Sequence, residues 1–490
     1  MRQGPLAGRY PAVAAMVVFA LVPYLALSAA LGPITPLIAR ELHMSPQAMN
    51  VTTGMANAGY AVGTVLAVQF AQLLPQRRML LVYGTLLVIG SVLTAAATVP
   101  AMFIVGHVLQ GLCTSLLLIA AVPPLIIGYP AARLRSTAVI MNVCIFGAVA
   151  LGPVVGGVQA NADGWRPLFW IIAGIAVAAL VLSALTFQET PAADPGAPVD
   201  YLALGLATAG CVAAFLGASR LLTHSFLDPA TCGPLLGGLL LIVALFVHEY
   251  TSKRPLLCVS SLLSTLPVAG IVAAICAAAA SVSAISLTLT SLSHHHTPLH
   301  LGLLYLPEFG GAVLTAVVFG SVFRTRLLHY YVLVGLGFLT AGILVMNAAA
   351  PPTSVLTAVG SGLVGVGVGS SVVPALFIAG FSLRSTNVQR VFAIIELLRA
   401  VAAFMVAPVL LYVAGTVGHG LDDGTRTALW ICFAIAVAGA VVGVALYVLG
   451  RVRPPTPSVE GWLSGERTGW DSPPLFARLT RGKQQEDACP

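Results

Sequence analysis

The chain has 490 residues, 58% of them hydrophobic and 8% charged, with a formal net charge of +7 and a mean hydropathy of +0.97. A soluble globular chain carries about a quarter charged residues, and no aqueous fold of this length hides so much apolar surface. The composition excludes a soluble domain and predicts an all-α polytopic protein whose solvent is the lipid bilayer.

A helix needs about 20 mostly apolar residues to cross the hydrocarbon core. Read between charges, prolines and polar clusters, the chain predicts spans at 12–33, 50–73, 79–98, 101–127, 137–158 and 167–187. Further spans follow at 201–221, 230–250, 266–290, 299–322, 330–348, 354–380, 390–414 and 427–449, fourteen in all. The first is too long for a signal peptide and is closely followed by more spans, so it reads as an uncleaved anchor.

Basic residues in alternate loops set the orientation. Eighteen Lys and Arg, among them Arg77, Arg78, Arg133, Arg135, Lys253 and Arg254, fall on one side, against Arg40, Arg166, Arg220 and Arg426 on the other. The asymmetry predicts that both termini are cytoplasmic in a plasma-membrane protein. It also accounts for the positive charge without a nucleic-acid partner. Cysteines such as Cys113, Cys144, Cys276 and Cys432 lie within spans and read as small packing residues.

The chain repeats itself. "QGLCTSLLLIAAVPPL" (110–125) and "SGLVGVGVGSSVVPAL" (361–376) share Gly-Leu and Val-Pro-x-Leu at one offset. "FAQLLPQRRMLL" (70–81) resembles "FGSVFRTRLLHY" (319–330) at nearly the same offset, and "LGPVV" (151–155) similarly parallels "VAPVL" (406–410). Three matches in order predict duplicated six-helix bundles at 1–187 and 256–450, a repeat plan used by one large transporter class. The segment 188–255 becomes a Pro-rich loop, "QETPAADPGAPVD" (188–200), followed by two linker spans, and 451–490 a polar, flexible tail.

"GAVALGPVVGG" (147–157) places Gly147, Gly152, Pro153, Gly156 and Gly157 inside an apolar span. In lipid, glycines four or five apart let helix backbones approach closely, and a proline bend is tolerated where neighbours compensate. With the "GWRPLF" (164–169) that follows it, this stretch resembles the fifth-span motif of the fourteen-span drug:proton antiporter branch of the major facilitator superfamily. "HVLQGL" (107–112), "AQLLPQRRML" (71–80), "TPLHLGLLYLP" (297–307) and "GSGLVGVGVG" (360–369) are similar to other signatures of that family. The resemblance implies two six-helix bundles plus two linker helices, and a monomer that exchanges protons for small hydrophobic or amphiphilic compounds by alternating access. An exporter of a lipid or siderophore-type metabolite, or an uncoupled or importing facilitator, is the alternative on the same fold. No enzyme and no cofactor is implied, and no G-x-x-x-x-G-K-[ST] loop is present.

The departures are specific. Arg77 and Arg78 of the cytoplasmic loop motif remain, but Gln69 and Leu73 stand at its glycine and aspartate positions. His107 replaces the fourth-span arginine, and Leu27 or Ser28 stands where the first span of the branch carries an acid. Ionisable groups within the bilayer are expensive and point to function. Of the sixteen acids, Glu308 and Glu396 fall well within spans. Glu308 is about nine residues into its predicted helix, roughly 14 Å at the α-helical rise and so near the midplane. It reads as a proton carrier or a polar lining. Glu396 has Arg399 three residues on, over the same helix face, which predicts an ion pair or a protonation-gated partner for an anion. His107 is a third coupling candidate or a hydrogen-bonded packing residue. Tyr24, Asn57, Tyr60 and Gln110 suit a central cavity. The loop His294–His296 with His300 has no carboxylate or cysteine beside it, so no metal site is expected.

Reporter fusions after residue 195 and after residue 455 should both score cytoplasmic. Opposite sides for the two fusions would overturn the predicted topology.

Overall fold

Prolines and short polar residues decide where the helices begin. Ser45 caps one helix by accepting the Ala48 N–H at 3.1 Å, with Pro46 in the first turn, where a missing N–H costs nothing. Pro100 opens another in the same way, and Asp200 caps a third by accepting the Ala203 N–H at 2.9 Å. The computed structural model describes residues 3–186, 188, 191, 192, 194–348, 353–417, 420–452 and 456–475. Fourteen of its helices are long and apolar enough to cross a membrane. They are α1 (Tyr10–Glu41), α2 (Pro46–Leu73), α3 (Gln76–Ala95), α4 (Pro100–Ile127), α5 (Ala131–Asn161), α6 (Arg166–Thr186) and α7 (Tyr201–Arg220). The others are α8 (Pro229–Thr251), α9 (Thr265–Leu292), α10 (Pro298–Val322), α11 (Leu328–Ala348), α12 (Ser354–Phe381), α13 (Ser385–Thr416) and α14 (Asp422–Leu449). A short α15 (Val459–Leu463) follows. Among the described residues there is no sheet, only isolated bridges.

The helices form two compact units. The first holds the described residues within 1–129, 151–251 and 296–303, and the second those within 130–150, 252–295 and 304–475. Helices α5 and α10 therefore each contribute residues to both units.

The first unit includes α7 and α8. The sequence set residues 188–255 apart as a linker, whereas the structure docks α7 on α2 and α8 on α7, all within the first unit. A Cβ on Gly54 of α2 would overlap Ser219 of α7, so the two helices lie flush. Between α7 and α8 the same device operates, because Gly217 faces the Leu235 backbone and Gly238 faces the Ala214 backbone. Small residues substitute for the hydrophobic drive that lipid does not supply. The opposite face of α8, Leu236, Leu240, Val243 and Val247, is exposed and apolar, as a lipid-facing stripe must be. At the far end of this unit, Phe103, Trp165 and Phe169 pack edge to face with centroids 5.5–5.7 Å apart.

In the second unit the tail is not the flexible segment its polar composition predicted. Residues 456–475 pack onto helix ends, and two buried tryptophans explain why. Trp462 Nε1 donates to the Leu383 carbonyl at 2.9 Å and its ring meets Phe381 at 4.9 Å. Trp470 lies 5.5 Å from Phe381 and 4.7 Å from His329, and its N–H donates to the Phe381 carbonyl at 3.0 Å. The tail also takes up N–H groups that the start of α9 cannot bond internally. Thr265 N–H donates to the Pro473 carbonyl and Leu266 N–H to Ser472 Oγ, both at 3.0 Å. The rest of the predicted tail, 476–490, lies outside the described residues.

Truncating a fully buried aromatic costs roughly 3 kcal/mol or more. Trp462→Ala and Trp470→Ala should each lower the thermal unfolding midpoint in detergent. An unchanged midpoint in both would show that the segment adds nothing to the second unit.

Candidate functional site

The glycine-rich helix α5 is built in two parts. Asn142 ends a regular helical stretch, and Val143–Gly147 form a π-helical turn closed by Ala148 N–H to the Val143 carbonyl. Such turns are rare in helices and frequent at functional sites. In the second unit, Asn142 is fully buried and donates from Nδ2 to the Gly369 carbonyl at 2.6 Å. Gly147 faces only side chains, a Val143 methyl at 3.3 Å and the Phe309 ring at 3.5 Å from a built Cβ, so a small side-chain shift would admit a methyl there. The glycines after Pro153 differ. In the first unit a Cβ on Gly152 would stand 2.7 Å from the Ala26 carbonyl oxygen, and one on Gly156 would overlap the Ala30 carbonyl. Gly157 meets the Pro298 carbonyl, and Gly302 returns the contact at the Pro153 carbonyl. The close-approach stripe therefore begins at Gly152, and Gly147 is not part of it.

Also in the first unit, four helices assemble a buried polar network. Tyr24 of α1 donates to Asn57 Oδ1 of α2 at 3.3 Å and stacks on Tyr60 at 6.1 Å. Its ring also lies 5.9 Å from that of His107 on α4. His107 Nδ1 is 3.2 Å from Gln110 Oε1, and Gln110 Nε2 donates to Ser91 Oγ of α3 at 3.2 Å. An amide oxygen only accepts, so Nδ1 carries the proton in this bond. Tyr24, Asn57, Tyr60, His107 and Gln110 thus form one cluster, with Ser91 as a member the sequence did not single out. Ser91 lies next to Gly90, which packs on the Gly106 carbonyl of α4, and that small-residue pair was its only local signal.

The span that carries Glu308 is not the continuous helix the sequence predicted. The span α10 is broken at Tyr305 into Pro298–Leu304 and Leu306–Val322. Glu308 lies in the first turn of the second piece, its N–H bonded to the Tyr305 carbonyl at 3.1 Å. Pro307, which cannot donate to a preceding turn, explains the interruption. The side chain is 8% exposed, and Oε2 has no hydrogen-bond partner among the described residues. Gly365 of α12 packs directly on the Glu308 carbonyl, and Gly311 packs on the Gly362 carbonyl. The glycine run of α12 is therefore the surface on which the carboxylate-bearing half-helix rests.

Glu396 and Arg399 meet within α13. Arg399 Nη2 and Nε donate to Glu396 Oε2 at 2.6 and 3.0 Å, both residues being buried. The guanidinium also lies 5.9 Å from the centre of the Phe146 ring, in the π-helical turn, at cation–π distance.

Of the basic loop motif, Arg77 is half-buried and Arg78 exposed in the first turn of α3. Gln69, at the motif's glycine position, accepts the Asp200 N–H at 3.1 Å and so helps seat the linker helices. The Trp-Arg pair opening α6 has a partner that the sequence did not reveal. Glu41, at the end of α1, accepts from Trp165 Nε1 at 2.5 Å and pairs with Arg166. Arg166 Nη2 also donates to the Ala97 carbonyl at 2.7 Å. In the histidine loop, the His296 and His300 rings lie 4.8 Å apart.

A family model described as Major Facilitator Superfamily matches residues 17–407. A multidrug resistance protein B homolog of Mycobacterium tuberculosis is 29% identical over 262 residues, 52% of this chain and 48% of the relative. The tetracenomycin C resistance and export protein of Streptomyces glaucescens is 23% identical over 289 residues, 59% of this chain and 54% of that protein. An uncharacterized MFS-type transporter of Bacillus subtilis is 26% identical over 243 residues, 47% of this chain and 46% of the relative. The chain spans about half the length of these curated relatives. Among solved structures, the proton:xylose symporter XylE bound to 6-bromo-6-deoxy-D-glucose superposes with a TM-score of 0.61. That match has 13% identity and covers 89% of this chain and 95% of the other, a likeness of fold.

The two classes of glycine should separate on substitution. Gly156→Ala forces backbone apart from backbone and should cost about 1–3 kcal/mol, seen as a lower unfolding midpoint. Gly147→Ala should leave the midpoint unchanged. Equal midpoints for the two variants would remove the distinction.

Proposed function

The chain belongs to the major facilitator superfamily and is a multi-pass membrane transporter; from that premise we propose a secondary active exporter of small hydrophobic or amphiphilic compounds. In this reading it works as a monomer in the plasma membrane with both termini cytoplasmic, and protons move inward as substrate moves out. The two duplicated bundles rock alternately, and the flush contacts of Gly152 and Gly156 on Ala30 hold this part of α5 against α1 within the first unit. The names of the relatives, multidrug resistance and tetracenomycin C export, support an amphiphilic substrate class.

One observation carries the coupling. Glu308 is a buried carboxylate at the first turn of a broken helix, with Oε2 lacking a hydrogen-bond partner among the described residues. A broken span with a polar group at the break is a recurrent way of building a transport site. A proton on that oxygen neutralises the group in one state, and its release restores the charge in the other. Glu396 is already bound to Arg399 and serves better to hold α13 together than to cycle. His107 is bonded to Gln110 and ranks behind Glu308 for the same reason. A second reading, an uncoupled facilitator, is favoured by α1, where Leu27 and Ser28 stand in place of the branch's acid.

The test is flux in sealed vesicles under an imposed pH gradient, run with a panel of amphiphiles. The wild type should concentrate substrate, and Glu308→Gln should lose accumulation while keeping affinity within about threefold. Glu396→Gln should instead lower stability by about 3 kcal/mol, because it strands a buried Arg399. If Glu308→Gln concentrates substrate as steeply as the wild type, coupling does not run through this residue. Equilibration without accumulation by the wild type would establish the facilitator.

A further inference from the structure

The proposed export cycle makes no use of a polar cluster at the ends of α7 and α8 that carry Asp200 and Glu249. Asp200 caps α7, and His248 and Glu249 occupy the last turn of α8. One potential ligand atom from each lies within 4.8 Å of the other two. Asp200 Oδ2 is 3.1 Å from His248 Nε2, while Oδ1 stays on the Ala203 N–H. Glu249 is 1% exposed and continues the buried stripe Leu235, Gly238, Ile242 and Leu245 of α8. The side chains of Asp200 and His248 keep 21% and 25% of their surface, so the cluster opens to water on one side only.

A second observation points the same way. Gln69 of α2 is 1% exposed and uses Oε1 to accept the Asp200 N–H. Its Nε2, on the same amide, has no hydrogen-bond partner among the described residues. A buried donor left unbonded costs free energy, and a water held beside it by an ion would remove that cost.

We propose that Asp200, His248 and Glu249 form a binding site for a divalent first-row transition-metal ion. One imidazole nitrogen and two carboxylate oxygens, with water in the fourth position, match the ligand set of Zn²⁺. Gln69 Nε2 donates to that water as an outer partner. The ion ties the start of α7 to the end of α8 and, through Gln69, holds both on α2 within the first unit. It acts as a fastener for the linker helices, independent of whether Glu308 carries a proton.

The experiment uses tag-free, chelator-washed protein in detergent, titrated calorimetrically with Zn²⁺, and with Co²⁺ as a spectroscopic probe. The wild type should bind one ion per chain, show visible Co²⁺ ligand-field bands and melt at a higher temperature with Zn²⁺. His248→Ala and Glu249→Gln should each weaken binding at least tenfold and abolish the bands. Asp200→Asn keeps an N-cap acceptor for Ala203 while losing the anion, so a tenfold loss in this variant reports ligation rather than capping. With His248→Ala, it also carries the test if Glu249→Gln fails to fold. The combined variant His294→Ala, His295→Ala and His296→Ala should bind as the wild type does. No stoichiometric ion, binding that survives both His248→Ala and Asp200→Asn, or binding lost only in the histidine-loop variant would each overturn the site.

Discussion

Lipid offers helices no hydrophobic reason to associate, so this fold depends on how closely their backbones can approach. The flush helix–helix contacts described above are made where a side chain is missing. Gly152 and Gly156 admit α1, Gly365 and Gly311 join α10 with α12, and Gly217 and Gly238 close the α7–α8 pair. Within the bilayer the same helices must satisfy their own backbone polar groups. Within the described spans the backbone departs from the regular α-helix in the interior of α5, at the π-helical turn Val143–Gly147, and in the interior of α10, at the break at Tyr305. Asn142 and Glu308 stand beside those two irregularities.

Charge is arranged under the same constraint. Arg399 lies against Glu396 and near the face of Phe146, so a guanidinium placed within a span keeps two partners. Glu41 is bound by Trp165 and Arg166 where α1 ends and α6 begins, and that clasp gives the Trp-Arg pair a structural role. Asp200 serves as cap, hydrogen-bond partner of His248 and anchor point for Gln69. Glu308 differs in having no ion-pair partner among the described residues, where its Oε2 also lacks a hydrogen-bond partner. A group that keeps an open oxygen can take up and lose a proton without dismantling a pair, and coupling requires such a group.

The tail shows how misleading composition becomes outside the membrane. Between residues 456 and 475 the chain is polar and rich in glycine and proline, features of a segment unable to build a core. Its two tryptophans nevertheless find an aromatic surface at Phe381 and His329, and its carbonyls and Ser472 complete the first turn of α9. The helix end and the tail each lack what the other provides. Neither requirement is visible until the two are placed together.

Sequence alone determined the number of spans, the helix that carries the close-approach glycines and the pairing of Glu396 with Arg399. All three are local properties: twenty apolar residues measure a bilayer, and residues three apart share a helix face. Tertiary structure alone decided that Gly147 is free of the stripe, that α10 breaks before Glu308 and that the linker helices belong with the first unit. It alone paired Glu41 with Arg166 and Asp200 with His248, residues 125 and 48 positions apart. Hydropathy and periodicity report whether one face of one helix is apolar. Which distant backbone meets that face depends on packing shape, which neither measure reports.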